Sequence, residues 1–394
     1  MRILTLNANL KGIGTYRRCF YFSRELARRG HAVTMFTVSR DSLYRPRQYY
    51  KAEWIGERAA ANGEPGWVRI IEGPGVGYRW IPGWGSGPLD IYARIRELVM
   101  GEYQAVWGFE HHPNVSWPIY LTKRFRGYRF YSDWCDWFAG NANPFRGYKW
   151  AHRIDGVLEE RIRFAAEMVS VTSILLKERA LAIGIPPERV VHIPEGAAVD
   201  YIVPLDADES RERMRLPAGR PLVAAVRAGD MCREVRVFNE VLRRVPDALF
   251  LMIGHVPPPA LELAERFGIR DRLILVGWVS DEDYPRYLAC ADVCFCPLED
   301  GTNDRARWPA KILDYLAAGR ATVTNDVGEA GTLFRHREVG VVAGPTGEEM
   351  ADCIVGLLRD SDRSRFLAEN ARRVVVKEWD WRVRGSQIAS VVEG

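Results

Sequence analysis

Short apolar runs alternate with amphipathic stretches along almost the whole chain, and that rhythm leaves few folds open. A strand-length run, a helix-spaced segment and another strand-length run form a βαβ unit, which places parallel strands under covering helices. Ile3 to Leu6 is the first such run. Gly12 and Gly14 punctuate the turn after it, and Thr15 to Arg29 has helical spacing until Gly30 ends it. His31 to Val38 is predicted as the second strand, with further strands at Ala105–Trp107, Tyr128–Tyr131, Met168–Val171 and Val190–Ile193. Asp41 to Asp90 is rich in Gly, Pro and Trp and shows no readable period. Pro194 to Pro221, with its prolines, glycines and charge cluster, is the best linker candidate. A second series follows, with strands predicted at Leu222–Val226, Leu249–Ile253, Leu273–Val276, Val293–Pro297 and Ala321–Asn325. After Val342 the chain reads helical, broken near Trp379-Asp380-Trp381.

A length of 394 residues exceeds one ordinary core and suits two α/β domains of similar size, 1–200 and 201–375, followed by a terminal helix at 376–394. An apolar fraction of 47% and a charged fraction of 27% are those of an ordinary globular protein, so disorder is not the default. The net charge of +4 permits an anionic ligand or an anionic membrane surface and demands neither, and no nucleic-acid partner is expected. No apolar run approaches the roughly 20 residues that span a bilayer. MRILTLNAN enters directly as a strand, without the regions of a signal peptide, so a cytoplasmic protein with at most peripheral membrane contact is expected. The seven cysteines are odd in number and lie mostly in apolar runs. Cys294-x-Cys296 alternates like a buried strand and lacks zinc-knuckle spacing, which reads as reduced core thiols.

In sheets of this kind ligands sit beyond the carboxyl ends of the strands, so the loops there carry the candidate chemistry. In the segment Asn303 to Glu329, Pro309 suits a first helical turn and Gly319 the position past a helix end. A helix start there binds phosphate through unpaired N–H groups. Arg307 precedes it, and Lys311 and Asp314 share one face. They read as cations for a diphosphate and a carboxylate for ribose, although spacing alone slightly favours a surface salt bridge on a core helix. Arg227 and Arg233 follow the strand at Leu222–Val226, and a guanidinium fork suits phosphate. The Gly12/Gly14 turn lets backbone approach a ligand closely, although it lacks dinucleotide spacing. In Phe109-Glu110-His111-His112, either imidazole could serve a sugar hydroxyl or a phosphate. Asp133 and Asp136 have no cluster of further oxygen ligands beside them, so a wall near the acceptor is expected there and no metal.

The run Lys311 to Val323, with Tyr-Leu-Ala-Ala-Gly-Arg after its acidic residue, resembles the second half of the signature of retaining family-four glycosyltransferases (glycosyltransferase group 1). The resemblance implies the B-type fold, two Rossmann-like domains facing a cleft, with a terminal helix crossing back to the first. It places Asp314 at the nucleotide ribose. The first signature carboxylate falls on Ala306, so Glu299 or Asp300 of the preceding loop would substitute, with Asn303 and Arg307 beside the donor. Arg227 and Arg233 take the places of the arginine and lysine that grip the diphosphate. Gly12, Gly14 and Tyr16 fall where donor phosphate and acceptor meet, and Arg17 and Arg18 would assist. His111 falls beside the transferred sugar, with His112 as its rival. The implied reaction is metal-free, cofactor-free retaining transfer from a UDP-, GDP- or ADP-sugar to a glycan, lipid-linked or small-molecule acceptor. Alternatives are a nucleotide-sugar epimerase or sugar phosphorylase on the same fold, or a non-catalytic nucleotide-sugar-binding protein, which Ala306 keeps open. The basic helix Tyr16–Arg29 and the aromatic stretch Trp80–Trp84 would allow a membrane-surface acceptor.

Overall fold

Two parallel sheets organise the residues described by the computed structural model, namely 1–41, 44–50, 66–76, 87–138, 156–227 and 229–394. Each belongs to its own compact unit. The first unit comprises Met1–Glu195, Arg305–Trp308 and Trp381–Gly394. Its strands are β1 (Arg2–Leu10), β2 (Ala32–Val38), β3 (Arg47–Tyr50), β4 (Trp67–Gly73), β5 (Ala105–Phe109), β6 (Arg129–Trp134), β7 (Met168–Val171) and β8 (Val190–His192). Its helices include α1 (Tyr16–Arg28), α2 (Pro88–Met100), α3 (Pro113–Arg126) and α4 (Ile174–Ala182). The sheet order is β3-β4-β2-β1-β5-β6-β7-β8. All neighbours are parallel except β3 against β4. Helices cover both faces of such a sheet, so β5 is buried along its whole length and reads as one apolar run.

Strands β3 and β4 lie in the stretch that shows no readable period. The reason is charge inside the sheet. Arg69 of β4 donates to Glu97 at 2.5 Å, and Glu72 accepts from Lys11 at 2.8 Å and from Arg47 at 2.5 Å. Paired this way, the charges can be buried.

The second unit comprises Gly196–Asp304 and Pro309–Asp380. It holds α5 (Ala207–Arg213), β9 (Leu222–Val226), α6 (Cys232–Arg244), β10 (Leu249–Ile253), α7 (Pro258–Arg266), β11 (Leu273–Gly277), α8 (Tyr284–Ala289) and β12 (Val293–Cys296). Helix α9 (Thr302–Ala306) ends in the segment 305–308 that packs with the first unit. Then come α10 (Ala310–Ala317), β13 (Ala321–Asn325), α11 (Gly328–Arg337), β14 (Val341–Ala343), α12 (Gly347–Arg359) and α13 (Ser361–Val374). The order β11-β10-β9-β12-β13-β14 is parallel throughout. The segment Pro194–Pro221 is more than a linker. It contains α5, capped by Asp206 accepting from the Glu209 amide at 2.8 Å, and Arg211 donates to the Cys290 carbonyl at 2.8 Å. The division between the units falls at its start.

After one π-helical turn at Val375–Trp379 the chain breaks and forms α14 (Trp381–Glu393), which packs on α1 in the first unit. Trp381 stacks on Tyr21 with centroids 5.2 Å apart and meets Phe22 edge-on at 6.0 Å. Phe22 in turn rests on Trp107 and Phe109, 5.1 Å from each. No residue of α1 is exposed, and Arg18 and Arg24 are buried. The reading of Tyr16–Arg29 as a basic surface helix therefore fails, and the Trp80–Trp84 stretch lies outside the described residues. All seven cysteines are free thiols, and burial pushes Cys294 up to about 12, far from thiolate reactivity.

Candidate functional site

Both sheets reverse their strand order once, between β1 and β5 in the first and between β9 and β12 in the second. The loops leaving two such strands diverge and open a crevice at their carboxyl ends, where ligands of α/β sheets bind. The candidate residues collect at these two places.

In the second unit the crevice lies past Val226 and Cys296. Arg227 leaves β9 with its amide donating to the Ile253 carbonyl at 2.9 Å. Gly254, at φ 106°, leaves room for it, since a Cβ there would sit 3.0 Å from the Arg227 Cβ. Helix α10 clamps the end of β9 from both sides of one residue. Lys311 Nζ donates to the Val226 carbonyl at 3.4 Å, and the Val226 amide donates to Tyr315 Oη at 2.8 Å. Lys311 also lies 3.9 Å from Glu234, whose carboxyl is pushed up by burial against the pull of the lysine. Arg233, in the first turn of α6, reaches across to the end of β12. It donates to Asp304 at 3.0 Å and the Pro297 carbonyl at 3.4 Å, and lies 3.4 Å from Glu299. Arg227 thus stands at the carboxyl end of β9, Lys311 reaches that same strand end, and Arg233 reaches just past the end of the neighbouring β12.

The other donor-side candidates divide. Glu299 is exposed beside Arg233, and its amide donates to Asp304 at 2.9 Å. Asn303 stands next to Asp304 on α9. Asp304 is a buried carboxylate that sequence reasoning missed, although it lies two positions before the signature alanine. Ala306 is fully buried in the first unit's core, where its carbonyl accepts from Ser173 at 2.6 Å. Arg307 belongs to the same segment. Asp314 is buried and accepts from Tyr284 at 2.8 Å, while Lys311 turns toward Glu234. No surface Lys311–Asp314 pair forms on α10.

In the first unit the crevice lies between the turn after β1 and the turn after β5. Gly12 and Gly14 have φ of 77° and 58°, and a side chain on Gly14 would come within 2.6 Å of Asn9. Glu110 takes the left-handed conformation, φ 56°, and points its carboxylate at this turn. It accepts from Thr15 at 2.7 Å and from Asn9, and His112 Nε2 lies 3.6 Å away. Burial would push the Glu110 carboxyl up, yet the hydrogen bonds from His112, Thr15 and Asn9 hold it below the usual range. His112 occupies the N-cap position of α3 without a side-chain capping bond, contacts the Phe138 ring and keeps part of its side chain exposed.

His111 turns the other way. It is buried, shares a 2.8 Å hydrogen bond with Ser132, and would be only 2.7 Å from a Cβ on Gly108. Burial first, then Arg163 and His112, lower its pKa well below the ordinary imidazole value. Of the two imidazoles, His112 is the more exposed, at 13% of its side chain against 4% for the His111 residue.

Asp133 is not an acceptor wall. It has no exposed surface and takes two hydrogen bonds from Arg18, at 2.8 and 2.9 Å, with a third from Ser170 at 2.5 Å. Arg18 also donates to the Ile193 and Pro194 carbonyls, at 2.8 and 3.1 Å. It is therefore locked in the core rather than available to a phosphate. Tyr16 is buried beside the loop, and Asp136 is half-buried beyond β6. Among the described residues no group of three or more His, Cys, Asp or Glu side chains could hold a metal ion.

Known proteins resemble this chain in both halves. A family profile described as "Glycosyl transferase 4-like domain" matches residues 12–196, and one described as "Glycosyl transferases group 1" matches residues 227–360. The GDP-mannose-dependent alpha-(1-6)-phosphatidylinositol monomannoside mannosyltransferase of Mycolicibacterium smegmatis is 26% identical over 246 residues, 59% of this chain and 64% of that protein. The chain thus spans somewhat under two thirds of that relative's length. The sucrose-phosphate synthase of Thermosynechococcus elongatus superposes over 100% of this chain and 98% of its own with a TM-score of 0.77 at 17% identity. HepE of Anabaena, solved with UDP-glucose, superposes over 100% and 99% with a TM-score of 0.71 at 15% identity. These structures fix the fold as that of B-type glycosyltransferases, with its two Rossmann-like units. With profiles of one family matching most of both units, the chain belongs to the group 1 glycosyl transferases.

Proposed function

We propose that this chain transfers a sugar from a nucleoside diphosphate sugar to an acceptor hydroxyl, with retention at the anomeric carbon and without a metal ion or other cofactor. The observation that supports the reading is that Lys311 reaches the end of β9 and Arg233 reaches past the end of β12, the two strands at the switch point of the second sheet, with Arg227 next along the chain from β9. The bond between the anomeric carbon and the diphosphate oxygen breaks while the bond to the acceptor oxygen forms. The acceptor proton passes to the departing phosphate on the same face. The chemical difficulty is the charge that builds on the diphosphate, and preorganised cations lower that barrier most. Arg233 is held toward the crevice by Asp304 and Glu299, and a diphosphate would take over their hydrogen bonds. Asp314 is assigned to the ribose hydroxyls, with Tyr284 fixing its carboxylate.

In the first unit, the sugar-side contact is assigned to His112, steadied by Glu110, with Gly12 and Gly14 giving close backbone approach. His111 then supports the turn from beneath. GDP and UDP lead the donor candidates, because the mycobacterial relative is named for GDP-mannose and the Anabaena structure holds UDP-glucose. ADP-sugars remain in the set. The acceptor class is a glycan, a small molecule or a lipid-linked sugar. A cytoplasmic protein that meets a membrane peripherally would suit the last of these.

Calorimetry with GDP, UDP and ADP tests the assignment. Arg233→Ala should weaken the nucleotide that binds by about 1.5–3 kcal/mol, the size of a hydrogen bond to a charged group. Unchanged affinity in a folded variant removes the site. Nucleoside diphosphate released only with acceptor present separates transfer from epimerisation and phosphorolysis. Activity should survive chelation, and a strict divalent requirement would overturn the metal-free reading.

A further inference from the structure

Helices α2 and α3 bury one face each in a single core on one side of the first sheet. Ala93 and Leu98 from α2 and Val115 and Ile119 from α3 meet Leu4, Leu6 and Ala8 of β1 there. Asn114 of α3 ties the pair by donating to Asp90 of α2 at 3.0 Å. At their far ends Arg126 donates to the Gly101 carbonyl at 2.8 Å. Two helices that pack side by side on one face turn their opposite stripes to solvent together.

Those outward stripes are apolar where a surface helix is normally polar. On α3, Trp117, Tyr120, Leu121 and Phe125 recur at helical spacing, and Tyr120 and Phe125 are 72% and 65% exposed. On α2, Tyr92, Val99 and Met100 do the same, with Tyr92 at 65% and Met100 at 71%. Large exposed apolar side chains gathered on two neighbouring helices mark a binding face rather than scattered exposure. The charges among these side chains are of one sign. Arg96, Arg124 and Arg126 are exposed on the same two helices. The carboxylates of the pair are turned in: Asp90 is fully buried on Arg94, and Glu97 is paired with Arg69.

We propose that the outward faces of α2 and α3 seat this protein on an anionic lipid bilayer, lying in the plane of the interface. Aromatic and aliphatic side chains would enter the headgroup boundary while the arginines meet lipid phosphates. Among the described residues no helix is long and apolar enough to cross a membrane, so this is an in-plane contact. Helix α3 begins at His112, and fourteen residues at 1.5 Å each place the stripe within about 20 Å of that imidazole. A headgroup-linked acceptor is therefore the class that such docking would present. The surface itself does not depend on the sugar-transfer reading, and the following measurement uses neither donor nor acceptor, so each can fail alone.

The test is co-sedimentation with vesicles of equal parts phosphatidylcholine and phosphatidylglycerol, against vesicles of phosphatidylcholine alone. The wild type should pellet with the anionic vesicles and come off as salt is raised. A double variant, Tyr120→Ser with Phe125→Ser, changes only exposed rings and should keep its circular dichroism while its partition falls at least about tenfold. Arg124→Glu should weaken binding to anionic vesicles and leave the small binding to neutral ones unchanged. No pelleting of the wild type, or equal pelleting of the double variant, overturns the proposal. So does a wild-type dimer in light scattering that the double variant abolishes while vesicles go unbound, which would give the face to a second copy of the chain.

Discussion

Arg18 in the first unit and Arg233 in the second each grip an aspartate at about the same distance, yet their surroundings differ. Arg18 and Asp133 are 2% and 0% exposed, and the guanidinium also carries two backbone carbonyls from the end of β8 and just beyond. Every strong donor it has is spoken for within the core, and it ties α1 to β6. Arg233 is 37% exposed and leans on Asp304 at the lip of a crevice. The first contact is architecture, because breaking it strands a charge without water. The second joins a part-exposed cation to a carboxylate that is 3% exposed, and the Glu299 amide at 2.9 Å stays on Asp304 when Arg233 turns to another anion. Between the two sits Glu72, a buried carboxylate whose cations, Lys11 and Arg47, are about half exposed.

Urea unfolding can break this distinction. Arg18→Ala should cost about 3–5 kcal/mol, the penalty of leaving Asp133 buried and unpaired, whereas Arg233→Ala should cost less, about 1–3 kcal/mol, because Asp304 keeps the Glu299 amide. Equal losses would erase the contrast. Glu72 provides a pH test of the intermediate case. Its carboxyl is held at about 2, burial being outweighed by hydrogen bonds from Lys11, Arg47 and Tyr49. A depressed carboxyl contributes stability that is present above its unfolded value, about 4.3, and lost as pH falls toward 2. Glu72→Gln should therefore remove about 1–2 kcal/mol at pH 6 and much less at pH 3, read by unfolding at both. The smallest effect is expected from Asp304→Asn, which frees Arg233 without removing the group that the Glu299 amide meets. Nucleoside diphosphate should bind about two- to fivefold tighter by calorimetry, roughly 0.5–1 kcal/mol. Weaker binding would instead make Asp304 a positioning residue for Arg233.

Most strands were legible because a parallel strand covered on both faces is apolar throughout, as β5, β10 and β12 are. Strand β4 was not, because Arg69 and Glu72 interrupt the run and find their partners only in three dimensions. As candidates, Arg227, Arg233 and Lys311 were legible from residue type and the family resemblance. Tyr315, Gly254 and Asp304 were not, because each acts on a neighbour set by strand order, which no local pattern encodes. Helix α1 looked like a solvated basic face because the segment that covers it, α14, comes from the far end of the chain. The resemblance put His111 ahead of His112. The left-handed turn at Glu110 sends the His111 imidazole inward to Ser132 and leaves the His112 side chain partly exposed beside Glu110.

The first unit is assembled from three separate stretches of chain, and its last helix supplies the lid over Tyr21 and Phe22. A fragment ending at Glu195 would carry every strand of that sheet and still be born with a wet aromatic wall, prone to clump. Anyone wishing to study that lobe alone would have to splice Trp381–Glu393 back onto it, and the gain in solubility on doing so would measure what the lid is worth.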